Sequence, residues 1–293
     1  MADRLEGSRA AGRGPRRGAA RAALVVVVAI GAGACGSASK STGGTPSTTA
    51  PVAVAPDAVV AQVVVRGGFI GPNVLARRVP SVTVLGDGSV VTPGVVPAIA
   101  PGPAIVPLQR GHISDSQIAR LIADARGLGL LGGPLDFGQP TVSDLGTTIV
   151  RIGDGTHPAA IHSAYAFGIG SPTSGLTGPQ RDARRALQSF VAELQALPRG
   201  DRTFPPRAVA VFTLSGAISG PVQAPRPWPV ATRPRSSTAG EPGCVVVRGA
   251  DVAPLLAALA HANENTPWIV AGHRLWLAFR PLAAAAAGDG CTL

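Results

Sequence analysis

The chain has 293 residues and a formal net charge of +10, and its 26 basic residues include a single lysine, Lys40. The arginines are scattered and aromatic residues make up only 4% of the chain, so the positive charge does not predict a nucleic-acid partner. The length is sufficient for one large hydrophobic core or two small ones.

The first 35 residues have the layout of an export signal that ends in cysteine. An apolar run from Ala22 to Ala34 would be about 20 Å long as a helix, too short for a hydrocarbon core of roughly 30 Å. We therefore predict that residues 1–34 are a cleaved signal peptide and that Cys35 begins the mature protein. The charged start that precedes the run contains Arg4, Arg9, Arg13, Arg16, Arg17 and Arg21.

The segment Ala32-Gly33-Ala34-Cys35 resembles the lipobox of bacterial lipoproteins, although Ala32 stands where leucine is usual. The resemblance implies acylation of Cys35 by more than one chain, which would hold the protein on the outer face of a lipid bilayer. An ordinary secretory signal cleaved near Ala34 is the alternative, and it would release a secreted protein. The pair Arg16-Arg17 leaves twin-arginine and general export both open.

Residues 35–57 are rich in Ser, Thr, Gly and Pro and are predicted to be a disordered tether. As a flexible coil, the 22 residues after Cys35 reach roughly 25 Å. Residues 58–293 are predicted to form a globular domain, with a sub-boundary, if one exists, near 198–206 or within 215–243.

The first half of this domain predicts a strand, two β-hairpins and two helices. Glycines of the Gly-Asp-Gly turns tolerate the positive φ of tight hairpins, and a Ser or Thr followed three residues later by Gln forms a capping box. The stretch from Pro93 to Pro107 predicts an extended edge or surface segment. The elements are a strand 58–66, a hairpin 81–85 with 89–92, a helix capped by Ser114, a hairpin 147–152 with 156–165, and a helix capped by Thr177.

The second half adds strands, one helix and a final hairpin. Repeated hairpins imply antiparallel pairing, so the predicted fold class is α+β, with antiparallel sheets and about three packed helices. A long Pro-, Gly-, Ser- and Arg-rich loop interrupts this half. The elements are a strand 207–214, the loop 215–243, a strand 244–248, a helix from its Asp251 cap to about Asn263, and a hairpin 268–270 with 273–279.

Two cysteines remain after Cys35, namely Cys244 and Cys291. In an oxidising compartment an even pair predicts a disulfide, and neither cysteine has the close Cys partner that a metal site would favour. By chain entropy alone a closed loop of about 48 residues contributes roughly 4 kcal/mol.

Candidate site residues are few. The chain has no G-x-S-x-G nucleophile motif, and no catalytic residue, cofactor or metal site is predicted. Asp144, His157 and His162 form a weak polar set, in which Asp144 is first of all a turn residue. His157 and His162 are five residues apart, which on a strand places them on opposite faces, whereas the ligands of one metal ion must converge. The alternative to a metal or hydrolase site is that both histidines are exposed polar residues of the hairpin.

Trp228 lies between prolines in the loop 215–243. A tryptophan in such a place either packs as a lid on the core or stands out as a contact for a partner, because Trp is favoured at interfaces. Both interpretations stay open at the level of sequence.

As a whole, the chain is similar to secreted or lipid-anchored proteins of unknown function from high-GC Gram-positive bacteria. The features that carry this resemblance are the arginine-rich signal, the tether, the Gly-Asp-Gly hairpins and the late cysteines. We expect a non-enzymatic domain that binds an envelope protein or polymer, or that helps to organise the envelope. The alternatives are an extracellular hydrolase built on Asp144, His157 and His162, and a protease inhibitor built on the loop 215–243.

Overall fold

A computed structural model of the chain describes residues 54–168, 170–217, 220–237, 242–284 and 290–292. In these ranges twelve strands form two sheets that are mainly antiparallel, and four helices are present. The predicted α+β class is therefore confirmed. The predicted signal peptide, Cys35 and the first part of the tether lie outside the described ranges.

Seven strands form the first sheet. They are β1 (Val59–Gly67), β2 (Val82–Leu85), β3 (Ser89–Pro93), β4 (Leu108–His112), β5 (Gly146–Ile152), β6 (Ala160–Tyr165) and β7 (Arg202–Thr203). Their order across the sheet is β6-β5-β1-β2-β3-β4-β7, and all neighbours are antiparallel. The two predicted hairpins are thus present as β2–β3 and β5–β6, although β6 begins at Ala160 and not at residue 156, so the connection after β5 is longer than the predicted Gly-Asp-Gly turn.

Five strands form the second sheet. They are β8 (Ala208–Leu214), β9 (Arg226–Pro227), β10 (Cys244–Arg248), β11 (Pro267–Val270) and β12 (His273–Leu282). Their order is β10-β8-β12-β11-β9, and only the short pair of β11 with β9 is parallel. The predicted final hairpin, β11–β12, turns at Ala271-Gly272, where both residues have positive φ.

The helices are α1 (Pro72–Arg77), α2 (Asp115–Gly127), α3 (Gly178–Ala196) and α4 (Val252–Leu259). Both predicted capping boxes are formed, since Ser114 and Thr177 accept from the backbone N–H of Gln117 and Gln180, whose side chains accept from the cap residues in return. These bonds satisfy backbone donors at each helix start that have no partner inside the helix.

Apolar side chains of α2 and α3, such as Leu121 and Phe190, bury one face of the first sheet, and α4 buries one face of the second. The end of β12 lies against the other face of the first sheet, where Leu282 and Ala284 line a common cavity with Gln62 and Thr83. The described residues from 54 onward belong to one compact unit, and the chain passes from the first sheet to the second between Thr203 and Ala208.

Several elements differ from the sequence-based predictions. Helix α1 and strands β7 and β9 were not predicted, because each is too short to show a hydrophobic period, and β4 was not predicted because its sequence, Leu-Gln-Arg-Gly-His, is mostly polar. The fourth helix ends at Leu259 rather than near Asn263, and Asp251 makes no cap bond; its carboxylate accepts instead from Thr232. The segment 93–107 crosses to the second sheet, where Ile105 pairs with Phe279.

Candidate binding site at helix α1

The last residues of the predicted tether, 54–57, lie against one end of the first sheet. The N–H of Asp87, in the β2–β3 turn, donates to the carbonyl of Pro56 at 3.0 Å, just before β1 begins. Strand β1 then runs for nine residues, roughly 30 Å, to Gly67 at the opposite end. We call this opposite end the distal end of the sheet.

Three connections at the distal end of the first sheet concern this site; the chain also leaves this end after β6 and after β7. The β1–β2 connection contains α1, the β3–β4 connection is residues 94–107, and residues 141–145 lead into β5, whose first residue pairs with Gly67. Antiparallel pairing fixes this arrangement, because alternate connections of a meander lie at the same end. The distal end is therefore built almost entirely from loops and the short helix α1.

Exposed apolar side chains gather at this end. Ten large hydrophobic side chains are exposed in the described part of the chain, and seven lie on the distal connections or on the last residues of β1. Phe69 is the most exposed of them, at 90%, and Val74 of α1 is 55% exposed. Single exposed apolar residues need no explanation, but a group at one end marks a surface for interaction. The seven are Val65, Phe69, Val74, Val95, Val96, Ile99 and Leu145.

A cavity of about 430 Å³, open to solvent, lies along α1. This volume falls in the range of small-molecule and peptide-side-chain pockets. We call it the α1 groove; its lining residues are Asn73, Val74, Arg77, Arg78, Val79, Val106 and Glu264.

An ion pair forms the base of the α1 groove. The guanidinium of Arg77 lies 3.0 Å from the Glu264 carboxylate, and both side chains are largely shielded from solvent. Arg77 also donates to the carbonyl of Pro103, and Glu264 accepts from the N–H of Gly102 at 2.7 Å. Burial lowers the pKa of Arg77, and the Glu264 charge opposes that change. The pair ties α1 to the 94–107 connection and to the turn before β11.

Arg280 of β12 fixes the other side of α1. Its guanidinium donates to the carbonyls of Leu75 and Ala76 at 2.6 and 3.2 Å, and it lies over the ring of Phe212. Carbonyls at a helix C-terminus lack partners inside the helix, and a cation there is favourable. A helix of six residues would be marginal alone, so these side chains hold it in place.

The same guanidinium reaches the C-terminal residues, with bonds to the carbonyls of Gly290 and Thr292. The Sγ atoms of Cys244 and Cys291 lie 2.05 Å apart, so the predicted pair is at bonding distance. The bridge joins this C-terminal segment to β10, and Arg280 joins it to α1.

Two further cavities are less suited to a ligand. The one between the sheets has about 30 Å³ of free space, which is room for one or two waters. The other, of about 250 Å³ beside α3, includes Arg184, but this guanidinium already donates to four backbone carbonyls.

The weak polar set of Asp144, His157 and His162 is not brought together. Asp144 precedes β5 and His157 follows it, so the length of the strand, roughly 20 Å, separates them. His162 is buried against Phe137 and bonds the carbonyl of Leu130 at 2.8 Å, so the expectation of an exposed residue is wrong for His162. Asp144 is a turn residue with φ of 64°.

Asp154, Thr156 and His157 do cluster at the β5–β6 turn. The hydroxyl of Thr156 and the carboxylate of Asp154 both contact the same ring nitrogen of His157, Nδ1, at 2.7 and 3.1 Å. A catalytic triad needs the acid and the nucleophile on different ring nitrogens, so this arrangement does not provide one. Among the described residues, no three His, Cys, Asp or Glu side chains could share a metal ion.

Trp228 packs against the core of the second sheet. Its ring lies edge-on to Trp268 and is stacked on Phe279, with centroids 5.8 and 6.4 Å away, and its Nε1–H donates to the carbonyl of Thr232. Of the two interpretations of Trp228, the packed lid describes its position. Thr232 is held in turn by Asp251, so residues 226–232 lie against the domain.

The sequence contains little that would locate the α1 groove. Val74, Val106 and Glu264 are far apart along the chain, and no motif joins them.

Comparison with protein-family models, with curated proteins and with solved structures gave no match. Within the described ranges, every helix is too short or too polar to cross a membrane.

Proposed function

We propose that the protein is a non-enzymatic binding domain, anchored through acylated Cys35 to the outer face of the membrane. In this proposal, its α1 groove and the surrounding distal loops bind an apolar segment of an envelope protein. The observation that carries the proposal is the gathering of exposed apolar side chains at the distal end of the sheet, the end that also holds the α1 groove and lies opposite the tether.

The position of the tether supports a partner away from the anchoring membrane. The tether joins the domain beside the β2–β3 turn, and the distal end lies about the length of β1 further on. An anchored domain can therefore present Phe69 and Val74 outward while its tether leads back to the bilayer.

The charged side chains that line the groove indicate which charged residue the bound segment contains. Two arginines and one carboxylate line the groove, and the carboxylate of Glu264 already faces Arg77. Among the described residues, the one hydrogen-bond partner of the Arg78 guanidinium is the carbonyl of Val65, at a long 3.4 Å. We therefore expect an apolar segment with an acidic residue that pairs with Arg78, since arginine favours carboxylates at interfaces.

Photo-crosslinking in cells tests the binding surface. A photoreactive amino acid in place of Val74 should give a discrete crosslinked protein from the envelope, and Phe69→Ser should weaken that product about tenfold or more. The same probe in place of Ile269, an exposed residue of β11, is the matched control and should give no such product. Equal products at both positions, or a product with lipid or glycan alone, would contradict the proposed partner.

The anchor is tested separately. Intact mass of the exported protein should show acyl chains on residue 35, and Cys35→Ala should move the protein from the membrane to the soluble fraction. An unmodified Cys35 would refute anchoring and leave the groove experiment unaffected.

A further inference from the structure

Strand β6 is an edge of the first sheet, because β5 is its only strand partner within the described ranges. Edge strands expose backbone N–H and C=O groups and normally carry charges, prolines or bulges that prevent pairing with another chain. Strand β6 has the sequence Ala-Ile-His-Ser-Ala-Tyr, with no proline or formally charged residue, and pairs with β5 without a bulge. Its Ile161 side chain is 61% exposed.

The ladder with β5 determines which backbone groups face outward. The N–H of Ala166 donates to the carbonyl of Gly146, so this pair is hydrogen-bonded. Hydrogen-bonded and non-bonded pairs alternate along an antiparallel ladder, so His162 and Ala164 bond to β5. The N–H and C=O groups of Ile161, Ser163 and Tyr165 therefore point away from the sheet.

One of these outward groups is already occupied. The carbonyl of Tyr165 accepts from the Arg184 guanidinium at 2.8 Å. No hydrogen bond from a described residue reaches the N–H and C=O groups of Ile161 and Ser163. Among the described residues, the free edge therefore consists of the N–H and C=O groups of Ile161 and Ser163, together with the N–H of Tyr165.

We infer that β6 pairs with β6 of a second copy of this chain, antiparallel and about a two-fold axis at His162. In this register Ile161 lies opposite Ser163 of the second copy, and Ser163 lies opposite Ile161 of the second copy. Opposite residues of a hydrogen-bonded pair exchange both bonds, so the pairing forms four interchain bonds and uses the N–H and C=O groups of both Ile161 and Ser163. The two first sheets then join into one continuous sheet.

A second copy fits this edge better than an unrelated strand for two reasons. The two-fold register pairs the backbone groups of Ile161 and Ser163 and makes no use of the occupied Tyr165 carbonyl. The strand has no Asp, Glu, Lys or Arg, so no formally charged side chains are opposed across the axis, where His162 lies opposite its own copy. This inference does not depend on the α1 groove, which lies at the distal end.

Sedimentation equilibrium of the full chain carrying Cys35→Ala tests the pairing. The average mass should rise from one copy to two between about 1 μM and 1 mM, the range of weak interfaces. Ser163→Pro removes an outward N–H without removing a β5 bond, and Ile161→Lys adds an edge charge. Each should raise the dissociation constant about tenfold or more.

Ile269→Lys is the matched control, because Ile269 is an exposed isoleucine on the other sheet. This variant should dimerise with the same dissociation constant as the parent chain. Circular dichroism checks that each variant is folded. If Ser163→Pro does not fold, Ile161→Lys alone tests the pairing. Amide hydrogen exchange should slow at Ile161 and Ser163 as concentration rises. A chain that stays monomeric at 1 mM, or variants that dimerise unchanged, would overturn the inference.

Discussion

The Arg77 guanidinium and the Glu264 carboxylate meet at 3.0 Å at the base of the α1 groove, although one follows the first strand and the other precedes the eleventh. Both side chains are mostly shielded from water, and Glu264 also holds the N–H of Gly102. The contact therefore joins three chain segments that have no sequence relation, and the geometry of the groove depends on it.

Glu264→Gln should destabilise the protein by about 2 kcal/mol, because it leaves a shielded arginine without its counter-charge. Chemical denaturation measures the loss. The double variant Arg77→Met with Glu264→Gln should recover part of it, since no unpaired cation remains. An effect of Glu264→Gln below about 0.5 kcal/mol would show that the pair contributes little, as exposed pairs do.

Arg184→Lys should cost about 2 kcal/mol or more. The guanidinium, itself buried, donates to the carbonyls of Phe137, Gly138, Tyr165 and Ala166, and an ammonium group cannot reach all four. Burial also lowers the pKa of Arg184. Arg185→Lys, an exposed neighbour on α3, should change the free energy of unfolding by less than about 0.5 kcal/mol. Equal effects of the two substitutions would contradict this role.

Reduction of the Cys244–Cys291 bridge should lower the free energy of unfolding by roughly 4 kcal/mol, the entropy released by opening its loop. Denaturation with and without reductant, in a Cys35→Ala background, measures the change. Cys291→Ser should reproduce the effect without reductant. If mass spectrometry shows that the bridge is intact before reduction and the free energy of unfolding is the same with and without reductant, the disulfide does not stabilise the protein.

Stability should fall in acid through Asp154. Partial burial raises the pKa of this carboxyl, but hydrogen bonds from Thr156 and His157 outweigh it and hold the pKa well below the ordinary value of 3.8. A lowered folded-state pKa contributes stability that is complete above 3.8 and is lost as pH falls toward the folded value.

Asp154→Asn should therefore be less stable than the parent chain at pH 7, and the difference should shrink below about pH 4. Thermal unfolding between pH 2 and 7 measures the two curves. Asp144→Asn is the control, because no described contact involves the Asp144 side chain. A constant difference across this pH range would show that the carboxylate charge is not the cause.

Local sequence signals predicted the elements that depend on neighbouring residues. Ser114 with Gln117 and Thr177 with Gln180 located the starts of α2 and α3, because a capping box is formed within four residues. The Gly-Asp-Gly turns located two hairpins for the same reason. The α+β class followed from these local elements together.

The sequence by itself determined the order of hairpins and capped helices, and it paired the two late cysteines. Only the tertiary structure decided that His162 is buried under Phe137 and that Arg77 faces Glu264. It also decided that the exposed apolar residues share one end of the sheet. The physical reason is that caps and turns are set by bonds between near neighbours, whereas burial and the α1 groove depend on contacts between distant segments that no local pattern encodes.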